Sequence, residues 1–351
     1  MKASSLFLIK YNLYFRHMSV TRFLVFPLSI IFKFVTDIRN KLYDCNFLKS
    51  EKINVPVISV GNLSTGGTGK TPLVDFIIYN LKRDYNISVL SRGYNRKSKG
   101  FIEIKNIDNP SLVGDEPFLI KSNHSEVPVF ACEDRVEGAK KIISENNTNL
   151  ILLDDAFQHR KISRNLDIVL TDYNNLFYKD YLLPYGNLRE SRNNINRADV
   201  IIVTKCPLDF NKADAIKIKN QINPKKTQSL FFSQIKYSEK LFGFKELSFK
   251  SIRNSKLTLV TGIANSQPLK EYLKKNNVNF DHFDYPDHYN YSRKDVNKIL
   301  ATTKNNIILT TKKDYYKLSQ FKIYNLLYID IKVEFLDGKQ EFLSTIKEVL
   351  I

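Results

Sequence analysis

The chain has 351 residues, with 54 Lys+Arg against 36 Asp+Glu and a formal charge of +18. Hydrophobic residues at 43% and charged residues at 26% exclude a wholly disordered chain, and 12 glycines with 11 prolines exclude collagen-like or Gly/Pro-rich architectures. The length suggests two domains. The basic excess suits an anionic partner, whether nucleic acid, anionic lipid or a phosphorylated small molecule, although a Lys-, Asn- and Ile-rich background also raises the charge.

Between Arg22 and Lys33 lies an almost unbroken apolar run, Phe23 to Phe32, which resumes past Lys33 as Phe34-Val35. It is shorter than the roughly 20 apolar residues of a spanning helix. No small-residue cleavage site follows it, which argues against a signal peptide. Lys10, Arg16, Arg22, Lys33, Arg39 and Lys41 border or punctuate it. Apolar bulk with cationic edges reads as an N-terminal interfacial helix lying on an anionic bilayer; a buried helix covering the next domain is the alternative. Cys45, Cys132 and Cys206 form no CxxC pair and the five histidines form no HExxH. That points to a reducing compartment with no structural metal.

From Val55 onward, short apolar strands alternate with helices. Strands are expected at 56–60, 87–90, 127–131, 150–153, 167–170 and 200–203, with helices over Thr71–Arg83 and Arg135–Glu145 among them. Aromatic and charged residues alternate over Ser233–Phe249 as in an extended connector. A second series follows, with strands at 257–261, 280–283, 307–309 and 326–329 and helices near 269–275 and 293–300. The fold class expected is α/β: two α/β/α sandwich domains, the first P-loop NTPase-like with a mostly parallel sheet. The divisions are 1–50 for the N-terminal segment, 51–235 for the first domain and 236–351 for the second.

After the first strand comes Gly61-Asn62-Leu63-Ser64-Thr65-Gly66-Gly67-Thr68-Gly69-Lys70-Thr71. It matches GxxxxGK[ST] except that Ser64 stands at the first glycine. Backbone N–H groups of Thr65, Gly66, Gly67, Thr68 and Gly69 can cradle phosphates at a helix N-terminus, Lys70 can reach the β/γ-phosphates, and the Thr71 hydroxyl can ligate Mg²⁺. Asn149-Leu150-Ile151-Leu152-Leu153-Asp154-Asp155 is an apolar strand ending in two acids, either of which can hold the metal directly or through water. Together they make a nucleoside triphosphate site.

Further motifs follow in order: Ser91-Arg92-Gly93-Tyr94, Gly114-Asp115-Glu116-Pro117, Asp154-Asp155-Ala156-Phe157-Gln158-His159, Leu183-Pro184-Tyr185-Gly186-Asn187-Leu188-Arg189-Glu190 and Pro286-Asp287-His288. With the phosphate loop they resemble the tetraacyldisaccharide 4′-kinase family over most of the chain. Ala156 stands where glycine is commoner, and Thr311-Lys312-Lys313-Asp314 replaces a TEKD-like sequence. The resemblance implies transfer of the ATP γ-phosphate to the 4′-hydroxyl of a tetraacyldisaccharide 1-phosphate, the lipid A precursor, with ATP and Mg²⁺ as cofactors. It also implies a peripheral protein at the cytoplasmic face of the bacterial inner membrane. A monomer with no nucleic-acid partner is expected.

A sugar hydroxyl has a high pKa, so a carboxylate near the γ-phosphate is needed to accept its proton. Asp115 matches the family's base, with His288 orienting or relaying for it. Arg92, Arg135 and Arg189 are candidates for phosphate contact, since guanidinium pairs bidentately with phosphate. Tyr94, Gln158 and His159 are candidates to line the nucleotide or sugar site, and Glu190 is a further Mg²⁺ or water ligand. The competing function is a membrane-associated P-loop GTPase or ATPase switch. Thr204-Lys205-Cys206-Pro207 has proline where a guanine-reading acid belongs, whereas Thr311-Lys312-Lys313-Asp314 fits that pattern far from the P-loop.

Overall fold

The computed structural model describes residues 25–105, 108–303 and 306–350. Residues 1–24, with Lys10, Arg16 and Arg22, lie outside the described residues. The first part of the chain runs α1 (25–44), β1 (Val57–Asn62), α2 (Lys70–Leu81), β2 (Ile87–Ser91), β3 (Ile102–Glu103), α3 (Pro110–Val113) and α4 (Asp115–Asn123). It continues with β4 (Val129–Ala131), α5 (Arg135–Glu145), β5 (Leu150–Asp154), β6 (Leu166–Asp172), β7 (Val200–Thr204) and α6 (Lys212–Ile222). The remainder is β8 (Ser229–Gly243), β9 (Leu247–Ser248), β10 (Lys256–Thr261), α7 (Gln267–Lys275), β11 (Asn279–Asp284) and α8 (Arg293–Thr303). It ends with β12 (Ile308–Thr311), α9 (Lys312–Leu318), β13 (Leu326–Phe335) and α10 (Lys339–Glu348).

The first domain's sheet has the order β8-β7-β6-β1-β5-β2-β4-β3 and is parallel except at the β3–β4 pair. Every residue of β1, β2, β5, β6 and β7 is buried. That is why these strands read as continuous apolar runs: helices cover both faces of a parallel sheet. The second domain's sheet has the order β11-β10-β12-β13-β8, parallel until the antiparallel β13–β8 pair.

One strand serves both sheets. Ser229–Phe232 of β8 pairs with β7, and Ser233–Gly243 pairs with β13. A boundary at 235/236 therefore falls inside a continuous 15-residue strand. The stretch read as a connector is hydrogen-bonded sheet over most of its length. The chain also returns at its end: Phe342 and Ile346 of α10 are buried in the first domain's core, not the second's. The Phe342 ring centroid lies 4.8 Å from Phe335, 5.6 Å from Phe231 and 6.2 Å from Phe76 on α2.

α1 lies against the first domain with Ser29 and Asn40 buried and Leu28, Ile31, Phe34 and Val35 exposed. No helix among the described residues is long and apolar enough to cross a membrane.

Phe342 should be the clasp between chain end and first domain. Phe342→Ala is expected to lower the unfolding free energy by about 3–5 kcal/mol, as for other buried Phe truncations. Denaturant titration checks this; a loss within about 0.5 kcal/mol would mean that α10 merely decorates the surface.

Candidate active site

Parallel pairing of β1 with β5 sets Val60 opposite Asp154, so the loop after β1 emerges beside the acids that end β5. Gly69, at φ +89°, turns the chain into α2 in a conformation that a side chain would strain. The first turn of α2 has neither a side-chain cap nor an acidic residue. Its free N–H groups and positive dipole end are thus left for an anion. Lys70 and Thr71 are buried in that turn.

The loop is braced from two sides. Thr204 Oγ1 donates to the Thr68 carbonyl at 2.8 Å, while Lys205 donates to the Gly67 carbonyl and pairs with Asp172 at 2.7 Å. On the other side, the Thr65 amide donates to Asn187 O and the Arg189 amide to Leu63 O, each at 2.7 Å.

The adjacent acids have opposite environments. Asp155, at φ +53°, turns to Arg189, whose Nη2 and Nη1 donate at 2.7 and 3.1 Å; Lys70 Nζ is 3.7 Å away. Burial pushes the Asp155 carboxyl up, but Lys70 and Arg189 outweigh it and hold it at about 2. Asp154 is 0% exposed, and neither of its oxygens has a hydrogen-bond partner among the described residues. Burial first, then the nearby Glu116 charge, push its carboxyl well above the usual range, with Lys70 opposing. An orphaned buried carboxylate suits a hard divalent cation, and carboxylate and hydroxyl oxygens are the donors that Mg²⁺ takes, few of them from protein. No group of three or more His, Cys, Asp or Glu that could hold a metal occurs among the described residues.

Asp115 opens α4, where Gly114 is the cap position and the Asp115 carboxylate caps nothing. It points instead at the second domain. Its Oδ2 accepts from His288 Nδ1 at 2.9 Å and from Lys317 Nζ at 2.5 Å, with Lys313 Nζ at 4.0 Å. Burial raises the Asp115 pKa, but His288 and Lys317 reverse that and lower it. His288 is at φ +59°, Tyr94 packs edge-on against its ring at 5.4 Å, and Lys313 lies 3.3 Å from its Nε2. A buried carboxylate kept ionised by cationic neighbours suits proton acceptance.

Of the other expected residues, Arg92 is exposed. Arg135 is buried, lowered to about 10 chiefly by that burial, and its Nη2 reaches the Asp155 carbonyl at 3.4 Å. His159 is lowered to about 4 by burial and then by Arg135. Gln158 turns inward, its Nε2 donating to Asn62 O at 2.8 Å and to Glu190 Oε1 at 2.7 Å. Glu190, expected to ligate Mg²⁺ or water, has both oxygens engaged: Oε1 by Gln158, and Oε2 by Arg197 at 2.7 Å and Asn40 at 3.0 Å. Arg189 grips Asp155 rather than standing free for phosphate.

Lys313, Lys317 and Glu116 join the site without having been singled out for it. The i,i+4 spacing of the two lysines on α9 is the signal that places both on one helix face. Lys312, the departure from the family pattern, turns away to Asp330 at 3.1 Å.

A loop that offers N–H groups to phosphates and a carboxylate held ready for a proton have a common use only when a phosphate is moved to an acceptor. Fold and cleft thus define a P-loop phosphotransferase. A family model described as LpxK: Tetraacyldisaccharide-1-P 4′-kinase matches residues 21–351. The chain is 41% identical over 331 residues to a tetraacyldisaccharide 4′-kinase from Flavobacterium psychrophilum, covering 93% of this chain and 96% of that protein. It is 37% identical over 341 residues to one from Bacteroides thetaiotaomicron, covering 90% of each. A crystal structure of LpxK from Aquifex aeolicus in complex with ATP superposes with a TM-score of 0.78 at 31% identity, covering 94% of this chain and 100% of that one. The chain belongs to the tetraacyldisaccharide 4′-kinase family, as its motifs led us to expect.

The guanine-reading alternative loses its residues to other work. The Asp314 carboxylate is fully buried, accepting from the Gly262 amide at 2.9 Å, Thr311 Oγ1 at 2.8 Å and Tyr291 OH at 3.1 Å. Lys205 braces the phosphate loop and is followed by Cys206-Pro207. GTP in excess should therefore leave ATP binding nearly unchanged in a competition titration; displacement of ATP by equimolar GTP would reinstate the switch reading.

Proposed function

We propose that Asp115 accepts the proton of the acceptor hydroxyl while the phosphate loop holds the transferring nucleotide. The chain is an ATP-dependent tetraacyldisaccharide 4′-kinase, a phosphotransferase of lipid A biosynthesis. The observation that carries the residue-level reading is the Asp115 carboxylate, which leaves its own helix uncapped to meet His288 at 2.9 Å.

In this reading Thr65 to Thr71 wrap the triphosphate, and Lys70 neutralises charge at the β/γ-phosphates. Thr71 and Asp154 would hold Mg²⁺, with Asp155 beside them; the ion supplies further charge neutralisation. Asp115 takes the proton of the sugar 4′-hydroxyl as the oxygen–γ-phosphorus bond forms and the bond to the β-phosphate oxygen breaks. ADP leaves, and the acceptor gains one phosphate. His288 donates to Asp115 through Nδ1, the only sense open to it against an ionised carboxylate, and so fixes the base's orientation. Arg92 and Arg135 face the anionic groups, and Tyr94 and His159 line the acceptor. Arg189 and Gln158 act through Asp155, Asn62 and Glu190, which they hold in place.

The exposed apolar face of α1, bordered by Lys33, Arg39 and Lys41, lies on the bilayer from which the lipid is drawn. We take this to be the cytoplasmic face of the inner membrane, where ATP is available and three free cysteines stay reduced. A monomer suffices, because both halves of the cleft come from one chain.

Incubation with ATP, Mg²⁺ and a tetraacyldisaccharide 1-phosphate, followed by mass measurement of the lipid, tests the reading. A gain of one phosphate is expected, lost in Lys70→Ala; no gain with the wild-type chain would refute it. Asp115→Asn is expected to cut kcat by about 10²–10⁴ while nucleotide affinity is kept. Removing His288 takes away one of the groups that oppose burial, with Lys317 remaining, so the Asp115 pKa rises relative to wild type. The acid limb of kcat/KM in His288→Ala should therefore move to higher pH. On anionic vesicles, Ile31→Ser with Phe34→Ser should weaken partitioning about tenfold or more; unchanged sedimentation would detach α1 from the bilayer.

A further inference from the structure

α1 is fastened to the enzyme by polar groups, although its conspicuous face is apolar. Ser29 Oγ donates to Leu182 O at 3.2 Å and accepts from the Tyr185 amide at 3.0 Å. Arg39 donates to Gln158 O at 2.5 Å, and Arg160 donates to Asn40 O at 2.9 Å and to Asp44 at 2.8 Å. These grips fall on the two loops that carry the site's acids and clamps. A helix needed only to lie on a bilayer has no use for such contacts.

One of them reaches further than the rest. Asn40 is 4% exposed, and its Nδ2 donates to Glu190 Oε2 at 3.0 Å; its Oδ1 has no partner among the described residues. The side chain is thus buried for a single bond. Glu190 is itself 1% exposed and passes the contact on: its Oε1 accepts from Gln158 Nε2, which also donates to the carbonyl of Asn62, the last residue of β1. Asn62 Nδ2 then donates to Thr68 Oγ1 inside the phosphate loop at 2.8 Å. Arg189, the neighbour of Glu190 in sequence, clamps Asp155.

We infer that Asn40 is a positioning residue for phosphoryl transfer, tying the apolar N-terminal helix to the phosphate loop through Glu190 and Gln158. The inference rests on the assignment of the phosphate site made above. Without Asn40, Oε2 of Glu190 keeps only Arg197, and a carboxylate pulled toward one cation no longer holds Gln158 in register. A buried amide linked to a buried carboxylate has few other ways to be satisfied, so the coupling is stiff. Displacement of α1, as when lipid packs along it, is then felt at the phosphate loop.

The test is a double-mutant cycle on the full chain with ATP, Mg²⁺ and lipid acceptor in detergent micelles, which removes vesicle binding from the measurement. Asn40→Leu, close in volume and unable to hydrogen-bond, is expected to lower kcat about tenfold (about 1.4 kcal/mol) with acceptor KM and vesicle partitioning within twofold of wild type. Glu190→Gln should lower kcat too, and Asn40→Leu added to it should cost little more, because both break one chain of bonds. If Asn40→Leu does not fold, Asn40→Ala replaces it in the same cycle. Multiplying losses, a wild-type kcat in either single variant, or a loss confined to vesicle binding would overturn the inference. Failure of the site assignment itself reads differently: Lys70→Ala and Asp115→Asn would then stay active.

Discussion

A carboxylate taken out of water with no protein partner costs several kcal/mol unless a cation meets it. Asp154 is in that position, and much of the first domain is arranged around it. The β1–β5 register sets it beside the phosphate loop. Its neighbour Asp155 is turned away by a left-handed backbone and neutralised by Arg189 and Lys70. The two acids of one dipeptide thus have different duties. Asp155 fixes the loops to each other, and the Asp154 oxygens have no hydrogen-bond partner among the described residues. In the function proposed above, a metal–nucleotide complex would supply the positive charge that this buried carboxylate lacks.

The environment of Asp115 depends on the second domain. Asp115 belongs to the first, but the groups that outweigh its burial, His288 and Lys317, come from the second. Contacts this short fix the relative placement of the two parts, and a flexible linker would not hold it. The chain avoids one by running β8 unbroken through both sheets and by returning α10 to the first domain's core. The aromatic packing of Phe342 and the ion cluster at Asp115 are therefore parts of a single mechanical frame, although they share no contact.

Local pattern made much of this legible. Fully buried parallel strands are continuous apolar runs, and a phosphate loop needs its glycines and lysine in sequence, so the first domain and the Asp154 strand could be read directly. What escaped depends on pairing between distant segments. The alternation over 233–249 correctly signals extended chain, yet nothing in it says that β13 lies alongside. No element was expected past 326–329, and that Phe342 and Ile346 of α10 enter the first domain's core is set by packing between distant segments. Lys313 stands in a stretch noted only for its departure at Lys312, and Lys317 lies just past it; only the approach of α9 to α4 gives the two a role. Glu190 shows the converse: its neighbours in sequence suggested a metal ligand, while its neighbours in space, Asn40, Gln158 and Arg197, make it the centre of a hydrogen-bond network.

The surplus of positive charge also acquires a location. Much of it sits on exposed lysines, where water and salt screen it. The cations in the cleft are fewer and partly dry: Lys70, Arg135, Lys313 and Lys317 lie there with low exposure. Dry charges act over short distances with much greater strength. Asp115 and Asp155 balance the nearest of these cations, but Arg135 finds only backbone carbonyls, and its Nε has no partner among the described residues. Burial draws it down to about 10, which still leaves it protonated at neutral pH. A buried guanidinium with hydrogen-bond capacity to spare and a helix N-terminus with no side-chain cap are features that suit an anion. The overall charge of the chain was a weak guide to that conclusion, because the cations that support it are those that solvent does not see.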